Sequence, residues 1–168
     1  IDYRRNWRRS HLDMLRQAYA RAPHANDMLE LVESTYAEHH ETIASLATAS
    51  ELALHRHLGI NGPGEFLSSE DLRIEGSGSQ RVHAIVLALG GDTYLTGHGA
   101  SRYLDHDLFE DSGIRVEYMD YAMKPYPQLH GMFTPFVSAL DLVANVGTRG
   151  IDLIQPRTKY WKDFLRVR

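Results

Sequence analysis

The stretch from Thr93 to Gly131, TYLTGHGASRYLDHDLFEDSGIRVEYMDYAMKPYPQLHG, decides how this chain is expected to fold. Short apolar runs within it predict β-strands, and segments rich in glycine, histidine, tyrosine and proline separate those runs. Loops held between rigid elements are where binding and catalytic groups concentrate. We therefore expect a site built from loops on an α/β scaffold.

The spacing of apolar residues predicts helices and strands along the whole chain. In chain order they are helices over 7–20 and 27–58, a strand over 65–69, a helix over 80–89, strands over 93–96 and 114–118, and a helix from Pro135 to about Asn145. The 27–58 helix is one long helix or two separated near 39–42. Ser79 is expected to cap the 80–89 helix, and Phe136 to lie on the buried stripe of the last helix.

This order predicts an α/β fold, with a Rossmann-like, mostly parallel sheet, flanking helices and a helical N-terminal part. The strand over 114–118 alternates apolar and charged residues, as a half-buried or edge strand does. We expect a helical segment over 1–60 and an α/β segment over 61–168, together forming one compact domain. The chain begins at Ile1 with no methionine and no turn signal, so a preceding segment is expected in the full protein.

Composition excludes several classes of site. The chain has 168 residues and no cysteine, which rules out disulfides, thiolate nucleophiles and cysteine-ligated metals. No apolar run approaches the roughly 20 residues of a membrane span, and these residues show no signal-peptide pattern. The net charge of −4 argues against a general nucleic-acid binder. We expect a cytoplasmic protein with no membrane or nucleic-acid partner.

The N-terminal segment has the opposite charge balance to the whole chain. Between Ile1 and Gln17 there are five arginines against two aspartates. Such a cluster could neutralise phosphates or dock an acidic partner such as an acyl carrier protein. The alternative is a solvated helix face, and both interpretations stay open.

The GHGA segment is the first candidate for binding chemistry. Gly97, His98 and Gly99 follow a predicted strand and precede a helical turn, where ligands of open α/β sheets usually bind. Glycines there allow a positive φ and a close approach of the backbone to a ligand. The amides that follow could receive a phosphate or stabilise an oxyanion. The alternative is a tight turn with an incidental histidine.

The DYAMKPYPQLHG segment, residues 120–131, is the candidate for acid–base chemistry. His130 can act as a general base near neutral pH, with Asp120 or Asp141 fixing its tautomer. Tyr126 and Gln128 add polar groups between apolar elements. The alternative is a rigid, proline-bearing loop whose polar groups satisfy its own backbone.

Two weaker candidates flank these segments. Residues 76–80, most of them small, lead into the start of a helix, and Arg81 follows in its first turn. A loop that cradles phosphate has this pattern, although the spacing and the lysine of a P-loop are missing. Asp141 and Asn145 lie one turn apart and could present one polar face, or could simply solvate their helix. The histidine pairs at 39–40 and 55–57 lack a metalloprotease pattern, and there is no GxSxG nucleophile elbow. No metal and no cofactor are expected.

Several segments resemble the WbqC-like family, which is found in bacterial O-antigen and secondary-metabolite gene clusters. They are TYLTGHGASRYLD at 93–105, GIRVEYMDY at 113–121 and YPQLHGMFTPFVSALDLVANVG at 126–147, with weaker support from 7–23 and 78–95. Two departures are visible: the N-terminal His-Gln-Pro-Asn signature of the family is absent, and AMKP at 122–125 replaces a more usual His-Pro pattern. The motif positions carried over are His98, Tyr103, Asp105, Tyr126, Gln128, His130, Asp141 and Asn145.

The resemblance implies transfer of glycine or another acyl group onto an amino sugar or related amine. Direct attack by the amine is expected, since no cysteine or evident serine nucleophile is present. The partner would be a small-molecule amine or sugar nucleotide, and a homo-oligomer stays open. Two alternatives remain: a nucleotide- or carrier-protein-binding module without catalysis, and a nucleotide-dependent ligase or nucleotidyltransferase.

Overall fold

The computed structural model describes residues 1–166, with Met123 described by its backbone alone. The helices are α1 (Trp7–Ala18), α2 (Ala25–Ala37), α3 (Ile43–His57), α4 (Gly78–Ala88), α5 (His106–Asp111), α6 (Ala139–Val146) and α7 (Trp161–Arg166). The strands are β1 (Thr93–Thr96), β2 (Arg115–Met119), β3 (Ala122–Met123), β4 (Ile154–Gln155) and β5 (Thr158–Tyr160). Two 3₁₀ segments occupy His98–Arg102 and Gly147–Leu153.

The described residues divide into two compact units. The first unit contains residues 1–62 and 123–155, and the second contains residues 63–122 and 156–166. Each unit has its own cluster of buried apolar side chains. The expected α/β class is confirmed, while the expectation of one compact domain stays a prediction.

The first unit is built mainly from helices α1, α2, α3 and α6. Met28 on α2 and Val143 on α6 are wholly buried at its centre. The split of the long helix near 39–42 is confirmed, and the sequence at the break explains it. The Thr42 hydroxyl accepts a hydrogen bond from the amide of Ser45 while the Ser45 hydroxyl accepts one from the amide of Thr42, so a new helix begins there.

The second unit contains a mixed sheet of three strands in the order β1-β2-β5. β1 runs parallel to β2, with Thr93 opposite Arg115, and β5 runs antiparallel to β2. Val116 and Tyr118 on β2 are wholly buried and Arg115 is exposed, so the strand is half-buried but is central rather than an edge. A Rossmann-like, mostly parallel sheet is not confirmed, because one of the two pairings is antiparallel.

Two expectations for the region before β1 are wrong. Residues 65–69 form no strand, and they are all exposed, so no face of a strand could be buried there. Ser79 does not cap α4, whose N-cap position is Ser77. The Ser79 hydroxyl instead donates to the carbonyl of Tyr103 (3.1 Å) and accepts from the amide of Asp105 (2.8 Å). It therefore ties α4 to the turn before α5.

The last predicted helix begins later than Pro135. α6 starts at Ala139, and the Ser138 hydroxyl caps it by accepting from the amide of Leu140 (3.2 Å). Phe136, expected on the buried stripe, is 86% exposed. Ser138 rather than Pro135 therefore sets the start of the helix. The serine oxygen accepts a hydrogen bond from a first-turn amide that would otherwise lack a partner, whereas proline offers no acceptor to that amide.

Candidate functional site

A buried carboxylate organises the polar part of the first unit. Asp141 on α6 is only 5% exposed. Its Oδ2 accepts a hydrogen bond from the Tyr19 hydroxyl (3.0 Å), and its Oδ1 accepts from the Tyr126 hydroxyl (2.8 Å) and from Gln128 Nε2 (3.1 Å). A buried charge is tolerated only when donors replace the lost water in this way. We call these four residues the carboxylate cluster.

The two phenols of the carboxylate cluster are hydrogen-bond donors and not bases. Burial is the largest cause that raises the pKa of Tyr19 to about 12, and it likewise raises the pKa of Tyr126 to about 12. The Asp141 carboxylate acts in the same direction on both, because a phenolate beside it would be a second negative charge. Both hydroxyls therefore keep their protons at neutral pH and hold the carboxylate in place.

His130 is attached to the same part of the first unit through the backbone. Its Nε2 lies 3.0 Å from the carbonyl oxygen of Ala18, at the end of α1. Because a carbonyl only accepts, Nε2 carries the proton and the neutral ring has its lone pair on Nδ1. The structure thus gives the tautomer-fixing role to Ala18 rather than to Asp120 or Asp141. Asp120 lies in the second unit, where it pairs with Lys159 (3.4 Å).

These hydrogen bonds link α1, α6 and the loop over 126–130 in a ring, which we call the closed circuit. Ala18 holds His130, and the next residue, Tyr19, donates to Asp141. Asp141 in turn accepts from Tyr126 and Gln128, which lie in the same loop as His130. The loop over 126–130 has no regular structure of its own, so its shape depends on these side-chain hydrogen bonds.

Gln128 and Asn145 are engaged within the chain. The Gln128 amide donates to the carbonyl of Thr134 (3.0 Å) and accepts from the amide of Thr134 (2.9 Å), while also reaching Asp141. Asn145 donates from Nδ2 to the backbone carbonyl of Asp141 (2.8 Å), one turn earlier on α6. Both side chains therefore fix the surroundings of the carboxylate, and their predicted substrate contacts stay predictions.

The GHGA segment in the second unit differs from the sequence expectation. Gly97 has a φ of −84°, and Gly99 has no positive φ, so the expected left-handed glycines are absent there. His98 is exposed, donates from Nε2 to the carbonyl of Met119 (2.6 Å) and lies 4.8 Å from the ring of Phe164. A Cβ at either glycine would meet open space. The segment is an open surface turn, and its role as an anion cradle stays a prediction.

Of three other predicted binding residues in the second unit, two make structural contacts and the third is exposed. The Arg81 guanidinium donates to the carbonyls of Ile74 (3.0 Å) and Ser69 (3.2 Å). Asp105 caps α5 by accepting from the amide of Leu108 (3.2 Å). The Tyr103 ring is 58% exposed. Their contacts are structural in this chain, and their binding roles are untested.

The predicted site residues are thus divided between the two units. The first unit brings together Tyr126, Gln128, His130, Asp141 and Asn145, and the second holds Arg81, Gly97, His98, Gly99, Tyr103, Asp105 and Asp120. Sequence reasoning missed Tyr19, which directly follows α1. No local signal could have linked it to Asp141, since the two are separated by 122 positions in the chain.

Most of the N-terminal arginines contact acceptors of this chain. Four of the five take part in ion pairs or hydrogen bonds, which favours the solvated-face interpretation over a free basic patch. They are Arg4 with Asp2, Arg8 with the carbonyl of Glu38, Arg9 with Asp13, and Arg16 with Asp13 and Glu33. Docking of a carrier protein stays a prediction.

His106 is a buried titratable group of the second unit. It is 9% exposed, its Nε2 lies 2.8 Å from the Tyr118 hydroxyl, and its ring stacks on Trp161 with centroids 4.4 Å apart. Burial lowers the pKa of His106 below its ordinary value of 6.5, because the charged ring would lose its hydration. The neighbouring carboxylates of Asp107, Asp105 and Glu110 only partly oppose this effect.

This burial predicts that the second unit loses stability in mild acid. The unfolded chain binds a proton at His106 more readily than the folded chain, so the stabilisation is present above pH 6.5 and is lost as the pH falls below it. Urea unfolding followed by tryptophan fluorescence at pH 7.5 and pH 5.5, in a Trp7→Phe background that leaves Trp161 as the reporter, measures this difference. His106→Gln, which keeps a hydrogen-bonding partner for Tyr118 but cannot titrate, should show a smaller pH dependence. An equal dependence in both proteins contradicts the assignment.

Residues 1–166 lack two other classes of site or segment. No group of three or more histidine, aspartate or glutamate side chains lies close enough to hold a metal ion within that range. None of its helices combines the length and the apolar character that crossing a membrane requires.

Comparison with known proteins identifies the family. A model of the WbqC-like protein family matches residues 1–153. The chain is also 30% identical, over 152 residues, to a protein of Mycobacterium tuberculosis (strain ATCC 25618 / H37Rv) that bears the name "Uncharacterized protein Rv1507c". That alignment covers 89% of this chain but 65% of the relative, so the chain spans about two thirds of that protein's length. No solved structure matches. Because the family model matches nearly the whole chain, this chain belongs to the WbqC-like protein family.

Proposed function

We propose that this chain carries part of the site of an acyl- or aminoacyl-transferase that acts on an amino sugar or a related amine. The observation that supports it is the closed circuit around Asp141. It fixes a loop with no regular structure so that an exposed histidine presents a lone pair at a defined position. A histidine held in this way suits general base catalysis near neutral pH.

In the proposed reaction the amine nitrogen attacks the carbonyl carbon of the acyl donor. A bond forms between nitrogen and carbon, and the proton from the nitrogen passes to Nδ1 of His130. The tetrahedral intermediate then collapses, the bond from carbon to the leaving group breaks, and the leaving group departs with the bonding electron pair. Asp141, Tyr19 and Tyr126 take no proton in these steps; they position the loop that carries the base.

The proposal predicts that His130→Ala abolishes transfer. The complete protein would be incubated with acyl and aminoacyl thioesters and with amino-sugar nucleotides, and N-acylated products would be identified by mass spectrometry. Loss of a general base typically lowers the rate by ~10²–10⁴-fold. Affinity for the amine should stay within a few-fold of wild type, because His130 accepts the amine proton during the attack and does not hold the amine beforehand.

Two further histidine variants make this test specific. His98→Ala tests the other candidate base, in the second unit, and His39→Ala removes an exposed histidine that stacks only on Tyr3 among the contacts described. Transfer that survives in His130→Ala and disappears in His98→Ala moves the base to the second unit. Unchanged transfer in both variants contradicts a histidine base at either position. Absence of transfer in the wild-type protein favours a binding module without catalysis.

A further inference from the structure

A separate apolar cavity, open to solvent at Ile43, Ala47 and Ser50 of α3, lies in the first unit between α2, α3 and α6. Its volume is about 420 Å³, and none of the residues of the carboxylate cluster lines it. The apolar wall consists mainly of Leu31, Val32, Ile43, Leu46, Leu54 and Leu140. Leu140 directly precedes Asp141, so α6 contributes to both the cavity and the carboxylate cluster.

The polar groups of this cavity are already satisfied. The Thr35 hydroxyl donates to the carbonyl of Leu31 (2.9 Å), and the Ser50 hydroxyl donates to the carbonyl of Ala47 (2.7 Å). The Tyr36 hydroxyl lies 3.1 Å from Nδ1 of His11. No charged side chain is among the lining residues. A polar ligand would lose its water without gaining partners, so the cavity favours an apolar one.

The size of the cavity favours a small molecule over a protein. Its volume falls within the ~300–1,000 Å³ range of small-molecule pockets. Eleven residues line it, whereas a stable protein–protein interface uses roughly 20–30 residues on each side. A second copy of this chain or a partner helix would need much more surface than this cavity offers.

We propose that the cavity binds the unbranched alkyl chain of a medium-length acyl group. The inference rests on the proposed function only in assigning that chain to the acyl donor. If the cavity binds such a chain, the acyl donor carries a fatty acyl group rather than a glycyl group, because glycine has no side chain that could occupy an apolar cavity. Binding of the chain itself does not depend on catalysis.

The direct test measures binding of decanoate to the protein. We expect saturable binding of one decanoate per chain by calorimetry, with chemical-shift changes at the methyl groups of Ile43, Leu54 and Leu140. Ala47→Trp places a large ring in the cavity from α3, where Ala47 is itself exposed, and should weaken binding at least ~10-fold. Thr48→Trp introduces the same ring at the next position of α3, which is exposed and outside the lining, and should bind within about twofold of wild type.

Other outcomes overturn the inference. Three results would show that the cavity is not the binding site of decanoate. They are binding that does not saturate, equal affinity for Ala47→Trp and wild type, and chemical-shift changes at methyl groups outside the cavity. A wild-type oligomer that Ala47→Trp dissociates assigns the cavity to a second copy of the chain. If Ala47→Trp fails to fold, the methyl map of the wild type decides by itself.

The two proposals can fail separately. His130→Ala should bind decanoate as wild type does, because His130 does not line the cavity. Decanoate binding without any transfer activity leaves the cavity assignment standing and removes the transferase. Transfer of glycyl groups without decanoate binding does the reverse.

Discussion

Replacing Asp141 with alanine should lower the free energy of unfolding of the first unit by about 2–4 kcal/mol. The substitution leaves the hydroxyls of Tyr19 and Tyr126 without their acceptor, while the Gln128 amide keeps its hydrogen bond to the Thr134 carbonyl. A buried donor that loses its partner costs ~1–3 kcal/mol, and relaxation of the mostly exposed loop over 130–137 keeps the total below the upper limit of two such penalties.

Local hydrogen exchange is the suitable measurement, since the chain has two units and a single unfolding midpoint would mix them. Amides of α1 and α6 should exchange faster in Asp141→Ala than in wild type. Asp152→Ala, which removes an exposed carboxylate of the same unit, is the matched control and should change exchange little. If Asp141→Ala lowers the free energy of unfolding by less than about 0.5 kcal/mol, the effect is no larger than that of a surface substitution. That result would contradict the role of the carboxylate cluster in holding the first unit together.

The Asp141 variants also bear on the proposed function. Tyr19→Phe removes one donor at the α1 end of the circuit without touching the loop that carries His130. If the circuit positions that loop, combining Tyr19→Phe with Asp141→Ala should cost less than the sum of the two single changes, because both remove the same hydrogen bond. Additive costs would mean that the two side chains stabilise the unit independently.

Replacing Phe109 with alanine should lower the free energy of unfolding of the second unit by ~3–5 kcal/mol. Phe109 is wholly buried on α5, where it stacks on Tyr94 of β1 (5.4 Å between ring centroids) and meets the edge of His83 on α4 (5.2 Å). Alanine removes the apolar surface that these elements share and leaves a cavity between them. The large cost is expected because close-packed cores collapse only partly around such a cavity.

Phe66→Ala is the control for this prediction. It deletes the same atoms from a residue of the same unit that is 54% exposed, so the loss of stability should stay at about 1 kcal/mol or less. Urea unfolding followed by tryptophan fluorescence in a Trp7→Phe background, which leaves Trp161 as the reporter, measures the effect in the second unit, because Trp161 packs against the same apolar cluster as Phe109. Equal losses in the two variants would show that burial at Phe109 does not decide stability.

Elements whose signals are local were predictable from the sequence. The first helix, the helix over 80–89 and the strand over 93–96 all occur close to their predicted bounds, because apolar periodicity acts over a few neighbouring residues. The break near 39–42 was predictable only as an alternative, since its deciding feature is the reciprocal pair of Thr42 and Ser45. The strand β5 was missed because its three residues become a strand only by pairing with β2.

The candidate site shows the same division. The sequence itself identified the loop over 126–130, His130 and Asp141 as polar groups set between apolar elements, and it excluded cysteine chemistry. Only the tertiary structure decided that the Ala18 carbonyl holds His130, that Tyr19 donates to Asp141, and that His98 belongs to a different unit from His130. The physical reason is distance along the chain. Local patterns set which residues are helical or polar, whereas hydrogen bonds between residues more than a hundred positions apart depend on how α1 and α6 each pack against α2.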